Sequence, residues 1–212
     1  MNALKTLSLL ATLAPLTACD VDDLADGGME VGAEADAEVA AEPLRYTWLL
    51  VVDTSLEENA FGAPGADICG VSFDCGDVQG HGVDALLWAG DGQHCREGGE
   101  VNGEPCMADR DDPGAVMGAP HDPCEADSTP SHYVALGVGG VLAVRLEAEG
   151  GEIAARGLGG CSITVHERVS RDNESYQVSV CADSGGVDCL QPAPLAEAPE
   201  GGEVRLVVPV VD

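Results

Sequence analysis

Three groups of side chains in this 212-residue chain have the types and spacing that chemistry needs. Asp109, Asp111 and Asp112 sit in one short Asp-Pro turn. Calcium takes carboxylate and carbonyl oxygens presented in this way, about six to eight of them, so backbone or other side chains would have to complete the shell. An Asp-rich turn held by Asp-Pro chemistry accounts for the same residues without a metal. His81, His94, His121 and His132 lie near Cys95, Cys106 and Cys124 in sequence, the imidazole and thiolate mixture that zinc and copper favour. That site needs thiolates, which oxidation to disulfides removes. Ser184, in Cys181-Ala182-Asp183-Ser184-Gly185-Gly186, is a nucleophile only if a histidine base and oxyanion donors converge on it. A tight turn closed by a Cys181–Cys189 bridge explains that segment more simply.

The elements that position these groups start with an export signal. Lys5 gives a weak positive n-region and Leu7 to Leu16 a short apolar run, too short for a permanent span. Leu16-Thr17-Ala18-Cys19 resembles the bacterial lipobox, which implies cleavage before Cys19 and diacylglycerol on its sulfur. The alternative is an ordinary cleavable signal. The chain has nine cysteines, an odd number. Giving Cys19 to the lipid leaves Cys69, Cys75, Cys95, Cys106, Cys124, Cys161, Cys181 and Cys189 for bridges in an oxidising compartment. Their connectivities number on the order of a hundred. Short loops favour Cys69–Cys75, Cys95–Cys106 and Cys181–Cys189, leaving Cys124–Cys161 by elimination.

Lys5 is the only lysine, so the processed chain keeps eight of nine cationic side chains against 38 acids, a net charge of −30 instead of −29. Such a surface repels nucleic acid and anionic lipid and concentrates cations. Solubility or adaptation to salt explains it equally. Residues 20–43 are Asp, Glu, Ala and Gly with few large apolar side chains. They cannot bury enough surface to offset their ordering entropy and read as a disordered acidic tether over 19–43. The following 169 residues suffice for one domain, 44–212.

Within that domain the apolar patterns are short and alternate with period two. Arg45 to Asp53, Val83 to Ala89 and His132 to Val138 are apolar runs. In Val141 to Glu149, Leu142, Val144 and Leu146 share one face. Ile163 and Val165 oppose Thr164 and His166, and Tyr176, Val178 and Val180 oppose Gln177 and Ser179. Val204, Leu206, Val208 and Val210 form the last such row. Gly, Pro, Asp and Asn separate the runs, and no long helical stripe occurs after position 44. The pattern predicts an all-β jelly-roll sandwich, with 90–131 as a long loop region stapled by disulfides.

The segment Ala108-Asp109-Arg110-Asp111-Asp112-Pro113-Gly114-Ala115-Val116-Met117-Gly118 resembles the loop of discoidin-like, galactose-binding-like sandwiches. Ser131 to Gly137 with Val141 to Leu146, then Ser162 to Glu167 and Glu174 to Val180, are similar to later strands of that family. Gly65-Ala66-Asp67-Ile68 resembles an opening strand of exported myxobacterial-type versions. The tryptophan often found after the Asp-Pro turn is Met117 here, and the Cys-rich insertions depart from the family. The resemblance covers about 65–211 and implies a binding domain, often with structural calcium. With seven aromatic residues in the chain, most expected in the core, a sugar-stacking platform is not implied.

Val51-Val52-Asp53-Thr54-Ser55 is similar to the metal site of von Willebrand type A domains, but that fold needs amphipathic helices absent from this pattern. The Ser184 segment is similar to the nucleophile segment of trypsin-like proteases, with Ala182 where those have glycine. The sequence therefore leads to a non-enzymatic, lipid-anchored protein of the bacterial cell envelope. It would be tied to a membrane through Cys19, with an unidentified protein or glycan ligand and no nucleic acid. An exported hydrolase using Ser184 or a metal, and a cation-binding surface protein, are the alternatives. Which membrane holds the anchor stays open.

Overall fold

A computed structural model describes residues 44–55, 65–90, 100–101, 104–105, 111–120, 124, 132–168 and 174–211. Cys19, the tether, His94, Cys95, Cys106, Asp109 and His121 lie outside the described residues. In chain order the strands are β1 (Trp48–Asp53), β2 (Asp67–Asp74), β3 (Gln79–Trp88), β4 (Glu100–Val101), β5 (Glu104–Pro105), β6 (Val134–Ala135), β7 (Val141–Ala148), β8 (Ser162–Glu167), β9 (Tyr176–Cys181), β10 (Ala196–Ala198) and β11 (Val204–Val207). A 3₁₀ turn covers Pro113–Val116, and one short helix, α1, covers Glu152–Arg156.

Nine strands make one antiparallel sheet in the order β10-β9-β1-β7-β3-β2-β8-β11, with β6 added to β2. β4 and β5 pair separately. β3 turns the corner of the sheet. It pairs with β7 from Gly80 to Trp88 but with β2 only from Gln79 to His81, and a bulge lies between Gly82 and Asp84. A bulge bends its strand and raises local twist, so the sheet curls. Val178 of β9, Val144 of β7, Ile163 of β8 and Leu206 of β11 consequently share a single core. The Tyr176 hydroxyl of β9 donates to the Gly202 carbonyl just before β11, at 2.5 Å, linking the two ends of the sheet. The fold is all-β and sandwich- or barrel-like.

The alternation sets which side chains meet in that core. Leu142, Val144 and Leu146 are buried while Arg145 and Glu147 are half-exposed, and β8 and β9 repeat the pattern. The last row is shorter than its sequence implies. Leu206 and Val208 are buried, but β11 ends at Val207 and Val210 is exposed. β1 lies inside the sheet and is covered on both faces. Leu49 and Val51 enter the main core, and Leu50 packs with Ala143 and Cys181 on the other side.

Among the described residues three disulfides staple the sheet: Cys69–Cys124, Cys75–Cys161 and Cys181–Cys189. The third agrees with the short-loop expectation, and the expected Cys69–Cys75 and Cys124–Cys161 pairs are corrected. Cys69 lies within β2 and Cys75 immediately follows it. Six residues of extended chain separate two Cα atoms by about 20 Å, far beyond the reach of a disulfide. The register instead pairs Asp74 with Ser162, which brings Cys75 beside Cys161 on the neighbouring strand. Cys124 bridges instead to Cys69 of β2.

Candidate functional site

Where the start of β3, the end of β2, the start of β8 and Arg205 of β11 meet, the outward face is polar, bordered by the exposed apolar side chains Val83 of β3 and Val207 of β11. On β2, Val71 and Phe73 point into the core, so Ser72 and Asp74 point out. Antiparallel register extends each of them into a row across the sheet. His81, Ser72, Thr164 and Arg205 form one row, and Gln79, Asp74, Ser162 and the apolar Val207 the next. Cβ atoms of such neighbours lie about 5 Å apart, so the rows form a continuous platform.

An open pocket of about 280 Å³ lies on this platform, lined by Ser72, Asp74, Gln79, Ser162, Thr164 and Arg205. Its polar groups are oriented by one another. Arg205 Nε donates to Ser162 Oγ at 3.1 Å, and Gln79 Nε2 donates to Asp74 Oδ2 at 3.0 Å. Phe73 and Gly80 also line the pocket. A Cβ on Gly80 would stand 2.6 Å from the Phe73 ring and 2.3 Å from the Glu147 carbonyl, so only glycine fits there. The Cys75–Cys161 bridge clamps β2 to β8 beside the Asp74–Ser162 row.

At the far side of the pocket Ser72 Oγ lies 3.0 Å from His166 Nε2, and His166 Nδ1 lies 3.4 Å from Glu203 Oε2. The residue directly opposite His166 is Gly70, which has no side chain, and Pro120 packs over it. The imidazole meets its diagonal neighbour Ser72 instead. Strand alternation foretells that His166 and Thr164 face outward. The approach of Ser72 and Glu203 depends on pairing between strands about 90 and 130 residues from Ser72, which period-two patterns do not encode.

The residues singled out in the sequence are placed differently. Asp112 is exposed and caps the 3₁₀ turn, its Oδ1 accepting from Gly114 N at 2.8 Å. Asp111 is exposed beside it. No group of three or more His, Cys, Asp or Glu side chains with metal-binding geometry occurs among the described residues. Asp183 organises the Ser184 turn. Its Oδ1 accepts from Gly185 N at 2.7 Å and its Oδ2 from Asp188 N at 3.0 Å, bonds led by Asp188 that hold its carboxyl below the ordinary value. Gly186, at φ +71°, brings this turn down over Leu50, where a Cβ would sit 2.7 Å from the leucine methyl. The Ser184 segment therefore covers the smaller apolar cluster. Cys69, Cys75, Cys124, Cys161, Cys181 and Cys189 are all in bridges, which removes Cys124 as a thiolate ligand. Of the aromatics, Tyr133, Tyr176 and Phe73 are buried as expected, while Trp88 is half-exposed.

A second polar group lies inside the fold, at the opposite end of β2. Asp53, Asp67, Glu167 and Glu174 are all buried. Asp53 accepts from Ser55 N, Ser55 Oγ, Ala66 N and Gly139 N, fastening the end of β1 to the segments that lead into β2 and β7. This is the structural use of the Asp-Thr-Ser segment. Asp67 meets Arg168 at 3.3 Å, and that guanidinium lies 4.9 Å over the Tyr133 ring. Glu167 accepts from Gly202 N. Burial, with Asp67 and Asp53 adding negative charge and Gly202 N–H opposing them, pushes its carboxyl up to about 8. Burial and then Glu167 also push the Tyr176 hydroxyl upward.

No protein-family model, curated protein or solved structure matches this chain.

Proposed function

We propose that this chain is an exported envelope protein, anchored by lipid on Cys19, whose β domain is a binding module using the outward face of β3, β2, β8 and β11. The observation that carries the reading is the polar pocket on that face, with Ser72, Thr164, Ser162, Gln79 and Arg205 as donors and Asp74 as acceptor. Fixed polar groups on a rigid sheet suit a ligand rich in hydroxyl or amide groups, because orientation is settled before binding. The disulfides Cys69–Cys124, Cys75–Cys161 and Cys181–Cys189 support an oxidising compartment. A chain with 38 acids is a poor partner for nucleic acid, and Arg205 places one cation among the polar groups of the pocket.

Two measurements test this. Cells expressing the full chain are fed an alkyne fatty acid, and the chain is expected to carry the label while Cys19→Ser does not. Equal labelling of both, or of neither, removes the anchor. The oxidised protein is then screened against envelope glycans and envelope protein extracts, alongside a Thr164→Val/Arg205→Ala variant. A ligand held at least tenfold more weakly by the variant supports the face as the binding surface. A ligand held equally by both places binding elsewhere.

A further inference from the structure

Ser72, His166 and Glu203 stand in the connectivity of a nucleophile, its base and the group that orients the base. We propose that this set is a reactive centre that cleaves small acyl esters of polyhydroxylated alcohols held in the adjoining pocket. The inference goes beyond binding and departs from the non-enzymatic expectation of the sequence.

The neighbours of the imidazole set its tautomer. A carboxylate facing Nδ1 favours the proton there, which leaves the Nε2 lone pair to accept from Ser72 Oγ–H. Glu203 and Ser72 occupy the two ring nitrogens in that sense, at 3.4 and 3.0 Å. His166 is one-quarter exposed, so the ring is held at the face yet reachable. Ser72 also lines the pocket, so a bound carbonyl can reach its hydroxyl. Because β2 is paired on both sides at Ser72, its backbone cannot supply an oxyanion site, and the donors are side chains. Thr164 lies directly beside Ser72 in register and Arg205 directly beside Thr164, its guanidinium held at Ser162 Oγ, so a hydroxyl and a cation line the same pocket as Ser72 and are the donors available to a developing oxyanion. The small volume and polar lining favour a short acyl group on a hydroxyl-rich alcohol.

The reaction balances without a further cofactor. Ser72 Oγ bonds to the acyl carbon as its proton passes to His166 Nε2. The ester C–O bond breaks, and the departing alkoxide takes that proton. Water, deprotonated by Nε2, then attacks the acyl carbon, the Oγ–C bond breaks, and Ser72 recovers its proton as the acid leaves. Ser72 and His166 are the catalytic residues, and Glu203 is a positioning residue.

The test applies a tagged fluorophosphonate and, separately, p-nitrophenyl acetate to the intact oxidised protein. The expected result is one covalent adduct, mapped to Ser72 by peptide mass spectrometry, together with ester turnover. Ser72→Ala and His166→Gln lower both by at least about a hundredfold. Glu203→Gln lowers both by about tenfold, and Glu203→Asp recovers part of the loss, which a merely structural role would not produce. A folded wild-type protein that neither labels nor turns over overturns the proposal, whatever the variants do. So does an adduct at Ser184, or a Ser72 adduct that survives His166→Gln. Labelling needs no natural ligand, so failure here leaves the binding reading to its own test.

Discussion

Glu167 makes the stability of this domain depend on pH in a direction opposite to the usual carboxylate. Its side chain is buried at the end of β8, and its carboxyl is raised from 4.5 to about 8. Between those values the folded chain holds a proton that the unfolded chain has released. Stability from this group is therefore complete below about pH 4.5 and is lost as pH climbs through 8. The slope is about −1.4 kcal/mol per pH unit across the window, so moving from pH 5 to pH 8 removes about 3–4 kcal/mol. Glu167→Gln is the decisive variant, because an amide keeps an acceptor for Gly202 N but does not titrate. Urea unfolding with disulfides intact, at pH 5 and pH 8, reads the two differences. Wild type is expected to lose about 3–4 kcal/mol more than the variant over that interval. Repulsion among the surface acids acts on both proteins and cancels in the comparison. Losses equal within about 1 kcal/mol would refute the buried-proton argument.

Other outcomes follow from the covalent and backbone geometry. Replacing Cys75 and Cys161 by alanine opens a cross-link spanning 86 residues and should cost about 4–5 kcal/mol, against about 2–3 for the Cys181–Cys189 pair spanning 8; urea midpoints in oxidised samples compare them. Asp112→Ala should cost about 1 kcal/mol through the lost cap of the 3₁₀ turn, and thermal unfolding with and without a chelator should show the same loss in both. Gly80→Ala puts a Cβ into the Phe73 ring and should cost about 1–3 kcal/mol, read as a lowered urea midpoint.

The sequence reveals the strand faces more fully than their neighbours. Leu142, Val144 and Leu146 declare a buried row because the period of a strand is a local property. Asp67–Asp74 is harder to read. Cys69 and Gly70 interrupt its alternation, and only its first residues resemble a strand lead-in. That gap explains the incorrect disulfide expectation, since treating 69–75 as a loop makes Cys69–Cys75 look short. Ser184 and the Asp-Pro turn attract attention because their residue types are concentrated in one segment. Ser72, His166 and Glu203 draw none, because each sits in an ordinary context and only the register brings them together.

The outward polar rows and the buried acids are joined by one turn and one strand. His166 and Glu167 are consecutive on β8, so alternation sends the imidazole outward and the carboxyl inward. Gly202 and Glu203 are consecutive before β11, and they divide in the same way: Gly202 N binds Glu167 inside, while Glu203 faces His166 outside. Tyr176 holds the same turn from β9 through the Gly202 carbonyl. The position of Glu203 is thus set by a buried acid and a buried phenol, not by its own contact with solvent-exposed groups. A protonated Glu167 costs less to bury than an ionised one, so the interior can hold this turn firmly at the acidic end of its range. The buried carboxyl is the structural support of the outward face, which gives a polar group inside an apolar core a reason to be there.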